Sequence, residues 1–158
     1  MQFEERLRDR NRWQTGDRCS LVRVMELLST KTVFLVIREC FYGTTRFEDF
    51  VQRIGTTAPA VSRALKQLKD AGIVEPVPYR EPGRRARDEY RLTAAGEDLL
   101  PVLLSMMHWG DVHLQEKGAP LTLVDGKTDR PVRVVVTADD DVTPTALEDI
   151  EIRQNRRY

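Results

Sequence analysis

The chain has 158 residues, with 25 lysines and arginines against 25 aspartates and glutamates, and only two cysteines. That length suits one domain with an extension, burying about 68–70% of the surface exposed when unfolded. Two cysteines exclude a disulfide scaffold, no apolar run nears the ~20 residues of a membrane span, and the opening Met1-Gln-Phe-Glu-Glu-Arg6 lacks a signal-peptide core, so a cytoplasmic protein without a membrane partner is expected.

An N-terminal arm is expected over 1–17. After it, Leu21, Val24, Met25 and Leu28 recur at helical spacing, and Val33 to Ile37 is apolar almost all round, as in a buried helix. Cys19 falls at the expected start of the first of these helices. Backbone N–H groups there favour a thiolate, and Arg18 and Arg23 are close in sequence. The alternative for Cys19 is a packed, inert thiol. Cys40, on the buried second helix, reads as structural.

From Arg46 to Ile54, Phe47, Phe50, Val51 and Ile54 form the stripe of a short amphipathic helix, and Gly55 supplies its stop. Thr56 and Thr57 offer hydroxyls for the next N-cap, and Pro59 is tolerated in a first turn. In that second helix Val61, Ala64, Leu65 and Leu68 share one side, while Pro59, Ser62, Arg63, Lys66 and Lys69 share the other. Short residues at its start and positive charge along its outer face suit a recognition helix in a DNA major groove. An ordinary solvated helix face explains the same pattern when it is taken alone.

The next segment favours the DNA reading. Ile73 to Tyr79, with Pro76 and Pro78, reads as an edge strand, Pro82-Gly83 as a turn, and Arg87 to Leu92 as the returning strand. Arg80, Arg84, Arg85 and Arg87 face only Glu81 within this loop. A basic hairpin directly after a recognition helix suits contact with the phosphate backbone or the minor groove. Residues 56–91 hold eight basic and five acidic side chains, whereas 110–158 hold seven and ten. Such asymmetry fits a tail that faces away from DNA or packs against a partner surface, and ordinary solvated surface explains it as well.

Thr93 can cap a long helix running to about Glu116, kinked at Pro101. Leu99, Leu103, Met106, Met107 and Trp109 make it apolar on more than one face, so it needs a second surface, which a homodimer provides. Beyond it, Leu121 to Val124, Asp125-Gly126 and Pro131 to Thr137 read as a small β-hairpin. The acidic Asp139-Asp140-Asp141 and a mixed segment ending Arg153-Gln-Asn-Arg-Arg-Tyr158 follow. Those aspartates lack the glycine and terminal glutamate of a calcium loop, and no metal or cofactor is assigned. His108 and His113 lie on different helix faces and no phosphate-cradling glycine loop occurs, so no enzyme is expected.

The segments Val24-Met-Glu-Leu-Leu28, Arg38-Glu39, Leu65-Lys66-Gln-Leu68, Gly72-Ile-Val74, Tyr79-Arg-Glu-Pro82, Glu89-Tyr-Arg-Leu-Thr93, Gly96, Pro101-Val-Leu103 and Trp109-Gly110 share one further property. Together they resemble the HxlR-type winged helix-turn-helix regulators, relatives in architecture of the MarR regulators. Thr32, Ser20 and Ala64 depart from that family's usual tryptophan, proline and arginine. The resemblance implies a sequence-specific DNA-binding regulator, with repression the expected sign, and a cysteine at the place of Cys19 that senses oxidants or electrophiles.

The expected fold is therefore mainly α with a small β-wing: a winged helix-turn-helix over 18–117 with flanking dimerisation helices, then a β-rich extension over 118–158. The expected partners are operator DNA, a second copy of the chain, and a small-molecule or oxidant effector. DNA contacts are expected from Arg46, Thr56, Thr57, Pro59, Ser62, Arg63, Lys66, Arg80, Arg84, Arg85 and Arg87. The alternative is a winged helix used only as a protein-interaction module, and the salt dependence of DNA binding separates the two.

Overall fold

The computed structural model describes residues 1–155, the Asp17 side chain excepted. It divides into two compact units, residues 1–91 and the residues from 92 onward. That boundary falls at the end of the wing, whereas the sequence placed it after the long helix, at 117. Among the described residues no helix is long and apolar enough to cross a membrane.

Three single 3₁₀ turns, Glu5–Leu7, Arg10–Arg12 and Gly16–Arg18, open the first unit. The arm is tied to itself. The Arg10 guanidinium stacks 5.1 Å from the Phe3 ring and 4.3 Å from the Trp13 ring, and Trp13 donates its indole N–H to the Leu7 carbonyl at 2.8 Å.

Four helices follow: α1 (Ser20–Leu27), α2 (Lys31–Phe41), α3 (Phe47–Ile54) and α4 (Ala58–Asp70). Thr30 caps α2 by accepting the Val33 N–H at 3.3 Å. The core is where the expected stripes meet. Val33, Val36 and Ile37 of α2, Phe50 of α3, and Val61, Leu65 and Leu68 of α4 are at most 1% exposed. Each such burial stabilises the unit by about 1.5–3 kcal/mol. One buried group on α2 is not apolar: Glu39 is 4% exposed, accepts the Thr44 hydroxyl at 3.2 Å and pairs with Arg38 at 2.7 Å. These partners offset the cost of taking a carboxylate out of water. Two strands complete the wing, β1 (Val74–Tyr79) and β2 (Arg87–Leu92).

The second unit corrects two expectations. Instead of one kinked helix from Thr93 to Glu116 there are two, α5 (Ala94–Glu97) and α6 (Leu100–His113). Thr93 does cap, its hydroxyl accepting the Gly96 N–H at 3.2 Å. The break comes before Pro101. A proline cannot donate to the carbonyl four residues back, so the chain restarts with Pro101 in the first turn of α6, where its missing N–H is not needed.

The tail pairs differently as well. β3 (Leu121–Asp125) lies antiparallel to β4 (Ile150–Gln154), in register Leu121↔Gln154 through Asp125↔Ile150. The expected hairpin partner, Pro131 to Thr137, makes only an isolated bridge between Pro131 and Val124. Two bonds flank that bridge, Asp125 N–H to the Arg130 carbonyl and Val132 N–H to the Leu123 carbonyl, so Pro131 occupies a position that asks for no N–H. Past Val132 the chain leaves the sheet. Asp125, the expected turn residue, accepts the N–H groups of Lys127 and Thr128 and bends the chain there. Asn155 closes the far end, bonding to Thr122 and to the Ala119 and Pro120 carbonyls. Residues 156–158 of the expected mixed segment lie outside the described residues.

Candidate nucleic-acid interface

The tight turn between α3 and α4 depends on one glycine. Gly55 holds φ at +67° just past α3, a conformation that a side chain resists, and Thr57 then starts α4 from an extended backbone. Thr57 makes no side-chain capping bond, so its exposed hydroxyl has no duty inside the helix. Pro59 sits in the first turn of α4.

The two faces of α4 separate as the periodicity predicts. Val61, Ala64, Leu65 and Leu68 are buried, and Pro59, Ser62, Arg63, Lys66 and Lys69 are exposed. Thr56, also expected at the interface, is half-buried. Arg63 makes no ion pair or hydrogen bond among the described residues. Lys66 pairs with Asp70 one turn on, at 2.5 Å, but both are exposed and such a pair contributes only about 0.3–0.5 kcal/mol. A phosphate can take that lysine over at little cost.

The wing is braced against the start of α3. Tyr90 donates its N–H to the Thr45 carbonyl at 2.8 Å, Arg46 and Glu89 form an antiparallel bridge, and the Thr45 hydroxyl meets the Glu89 carboxylate at 3.4 Å. Its tip is a turn closed by Arg84 N–H to the Glu81 carbonyl at 3.1 Å, with Pro82 and Gly83 (φ +74°) in the positions a type II turn favours.

Side chains add a second layer of bracing that the sequence did not reveal. Arg46 stacks 4.8 Å over the Tyr79 ring and pairs with Glu81 at 2.8 Å, and Arg87 pairs with Glu48 at 2.6 Å. Arg46 and Arg87, both expected as DNA contacts, therefore fasten the wing to α3 in the free protein. Arg80 donates to the Arg84 carbonyl at 3.2 Å, and Arg84 lies 3.9 Å from Glu81. Arg85 has no partner among the described residues. All five arginines are exposed, so the wing presents a basic edge whose charges are differently committed.

Cys19 is half-buried and occupies the N-cap of α1. Its thiol is held below the ordinary value chiefly by the Val22 backbone N–H, which outweighs desolvation, with lesser help from the Leu21 N–H and the Thr15 hydroxyl. Helix-terminal amides, rather than Arg18 or Arg23, favour the thiolate. Cys40 is the opposite case: burial, helped by the charge of Glu39, pushes its thiol up to about 12.

Of the side chains expected at a dimer surface, Met106 and Trp109 are more than half exposed, and Leu99 and Met107 are half-buried. Leu103 is only 8% exposed within the single chain. Val102, Met106 and Trp109 form one exposed stripe at i, i+4, i+7, and His113 lies against Trp109 with ring centroids 5.0 Å apart.

A helix-turn-helix, a braced basic wing and the order in which they occur agree with a match of residues 27–118 to the HxlR-like helix-turn-helix family model. The chain belongs to the HxlR-like helix-turn-helix family. It is 36% identical over 105 residues to the HTH-type transcriptional regulator Rv3095 of Mycobacterium tuberculosis. That alignment covers 66% of this chain and 65% of the relative, so the chain spans somewhat under two thirds of the length of this curated relative. Among solved structures, PA1607, described as a transcription factor, superposes with a TM-score of 0.69 at 25% identity, covering 89% of this chain and 98% of that one. The redox regulator HypR in its reduced form gives a TM-score of 0.52 at 25% identity over 58% of this chain and 90% of that one. These proteins are described as a transcriptional regulator, a transcription factor and a redox regulator.

Proposed function

We propose that this HxlR-like protein is a homodimeric transcriptional repressor that sets α4 into the major groove of an inverted-repeat operator. Thr57, Ser62 and Arg63 would address base edges or nearby phosphates, and Lys66 and the wing arginines the backbone. The observation that carries this reading is the division of α4 into a buried apolar face and an exposed face bearing Ser62, Arg63 and Lys66. Two copies joined through the Val102, Met106 and Trp109 stripe would present two such helices about 34 Å apart, or a multiple of it. The DNA-reading part then covers residues 18–117, with 118–158 an accessory extension. A DNA partner places the work in the cytoplasm.

Cys19 is the proposed signal receiver. Its lowered thiol pKa supports the role, and HypR, a redox regulator, shares the fold.

Fluorescence anisotropy tests the main reading, with labelled duplex from upstream of the protein's own gene beside a scrambled duplex in reductant. A preference of about a thousandfold for the native duplex is expected. Equal, salt-insensitive binding to both would leave the winged helix as a protein-interaction module.

A further inference from the structure

The second unit holds a cavity of about 410 Å³, within the ~300–1,000 Å³ range of small-molecule sites. α6 contributes Met107, His108, Asp111 and Val112 as one wall. β3 and residues 131–134 make the other, which is apolar apart from Thr122, whose hydroxyl is taken up by Asn155, and the exposed Arg133. Asp111 lies nine positions after Val102, about two and a half helical turns, so the cavity opens on the side of α6 opposite the exposed Val102, Met106 and Trp109 stripe. A dimer formed through that stripe leaves the cavity free.

Asp111 is the informative side chain. It is half-buried, lines the cavity, and makes no hydrogen bond or ion pair among the described residues. A carboxylate that lines a cavity and has no partner there is free to pair with a cation placed beside it. His108, one turn earlier on the same wall, can accept a second N–H. Arg133 is exposed and can turn its charge to water, so it need not repel a cation.

We infer that this cavity binds a small amphipathic amine, its ammonium on Asp111 and its apolar body between Met107 and the β3 wall. Binding stands on the cavity itself. Only its use as a signal to the DNA-reading unit rests on the regulator function proposed above.

The test is calorimetric titration of the free, full-length protein with three probes that share one body: 4-phenylbutylamine, 4-phenylbutanol and 4-phenylbutyrate. The amine should saturate at one site per chain and bind about tenfold tighter than the alcohol, with the carboxylate weakest. Asp111→Asn should bring the amine to the level of the alcohol while leaving the alcohol unchanged. Val112 is 74% exposed, so Val112→Trp should keep the fold, cover the mouth and weaken the amine and alcohol together. Equal binding of all three probes, failure of the amine to saturate, or an Asp111→Asn variant that still prefers the amine would each overturn the inference. So would a Val112→Trp variant that binds as before. DNA is absent from the titration, so a failed operator assay leaves this result standing, and a failed titration leaves operator binding untouched.

Discussion

The side-chain amide of Gln67 donates to the main-chain carbonyl of Leu27 at 2.7 Å, fastening the C-terminal turn of α4 to the last residue of α1. That carbonyl is one of those a helix leaves without an internal partner at its C-terminus, and the contact is part-buried. Gln67→Leu strands it, so we expect a loss of about 1 kcal/mol, read as a lower urea midpoint at unchanged slope. An unaltered midpoint would mean that water replaces the amide without loss.

Arg63 and the wing tip should fail in different ways. Arg63→Ala should lower the ratio of specific to scrambled-duplex affinity, by about 1–3 kcal/mol at the base it addresses. Removing Arg84 and Arg85 together should weaken binding to every sequence alike and shallow the log–log salt slope by nearly two, since each phosphate contact contributes about 0.9. If Arg63→Ala leaves the specificity ratio where it was, its base-reading role is wrong.

Glu48 and Glu81 hold two arginines that a phosphate would otherwise engage. Glu48→Gln and Glu81→Gln remove exposed ion pairs, so each should change stability by less than about 1 kcal/mol. Both should raise affinity for random duplex at low salt, because the freed Arg87 and Arg46 add to the basic edge. Weaker binding in both variants would instead show that bracing the wing outweighs the added charge.

The two thiols should separate by reactivity. At pH 7–8 a thiol reagent should label Cys19 quickly and Cys40 only on unfolding, and Cys19→Ser should abolish the fast phase. Cys40 also gives a pH signature. Its folded pKa is raised from the ordinary 9.0 to about 12, so between those values the unfolded chain loses a proton that the folded chain keeps. The contribution of Cys40 to stability is full below about pH 9 and falls as pH rises towards 12. Urea melts at pH 8 and 10 should show that fall in the wild type and a smaller one in Cys40→Ala.

Trp109→Glu should turn the proposed dimer into a monomer without loss of helix content, because Trp109 is 59% exposed in the single chain. Light scattering and circular dichroism on the same sample decide this. A wild type that is already monomeric at micromolar concentration removes the dimer from the proposal.

Local signals in the sequence were strong wherever neighbours in the chain settle the structure. Phe47, Phe50, Val51 and Ile54 with Gly55 after them define α3, Pro59 marks the first turn of α4, and β2 runs from Arg87 to Leu92 as its alternation and flanking turn suggest. Contacts distant in sequence left no such mark. β3 pairs with a strand 25 residues further on, and nothing in Pro131 to Thr137 announces that the ladder stops after one bridge. The Arg87 and Glu48 pair spans 39 positions, and each residue alone reads as ordinary surface charge. Glu39 sits on a mostly apolar helix, and the Thr44 hydroxyl that bonds its buried carboxylate lies beyond the helix end. The candidate DNA face was thus visible as a list of side chains, but not which of its arginines already hold partners.

The distance between β3 and β4 also bears on how the protein is made. At ~5–20 residues per second, the ribosome needs roughly one to five seconds to supply the strand that covers β3 once β3 itself has been synthesised. During that interval Leu121, Leu123 and Val124 form an uncovered, β-prone edge, while the helix-turn-helix unit upstream already has its whole core. The nascent second unit is therefore where holdase chaperones and proteases would find their substrate. Lesions in Ile150–Gln154 should lower cellular abundance before they alter DNA affinity.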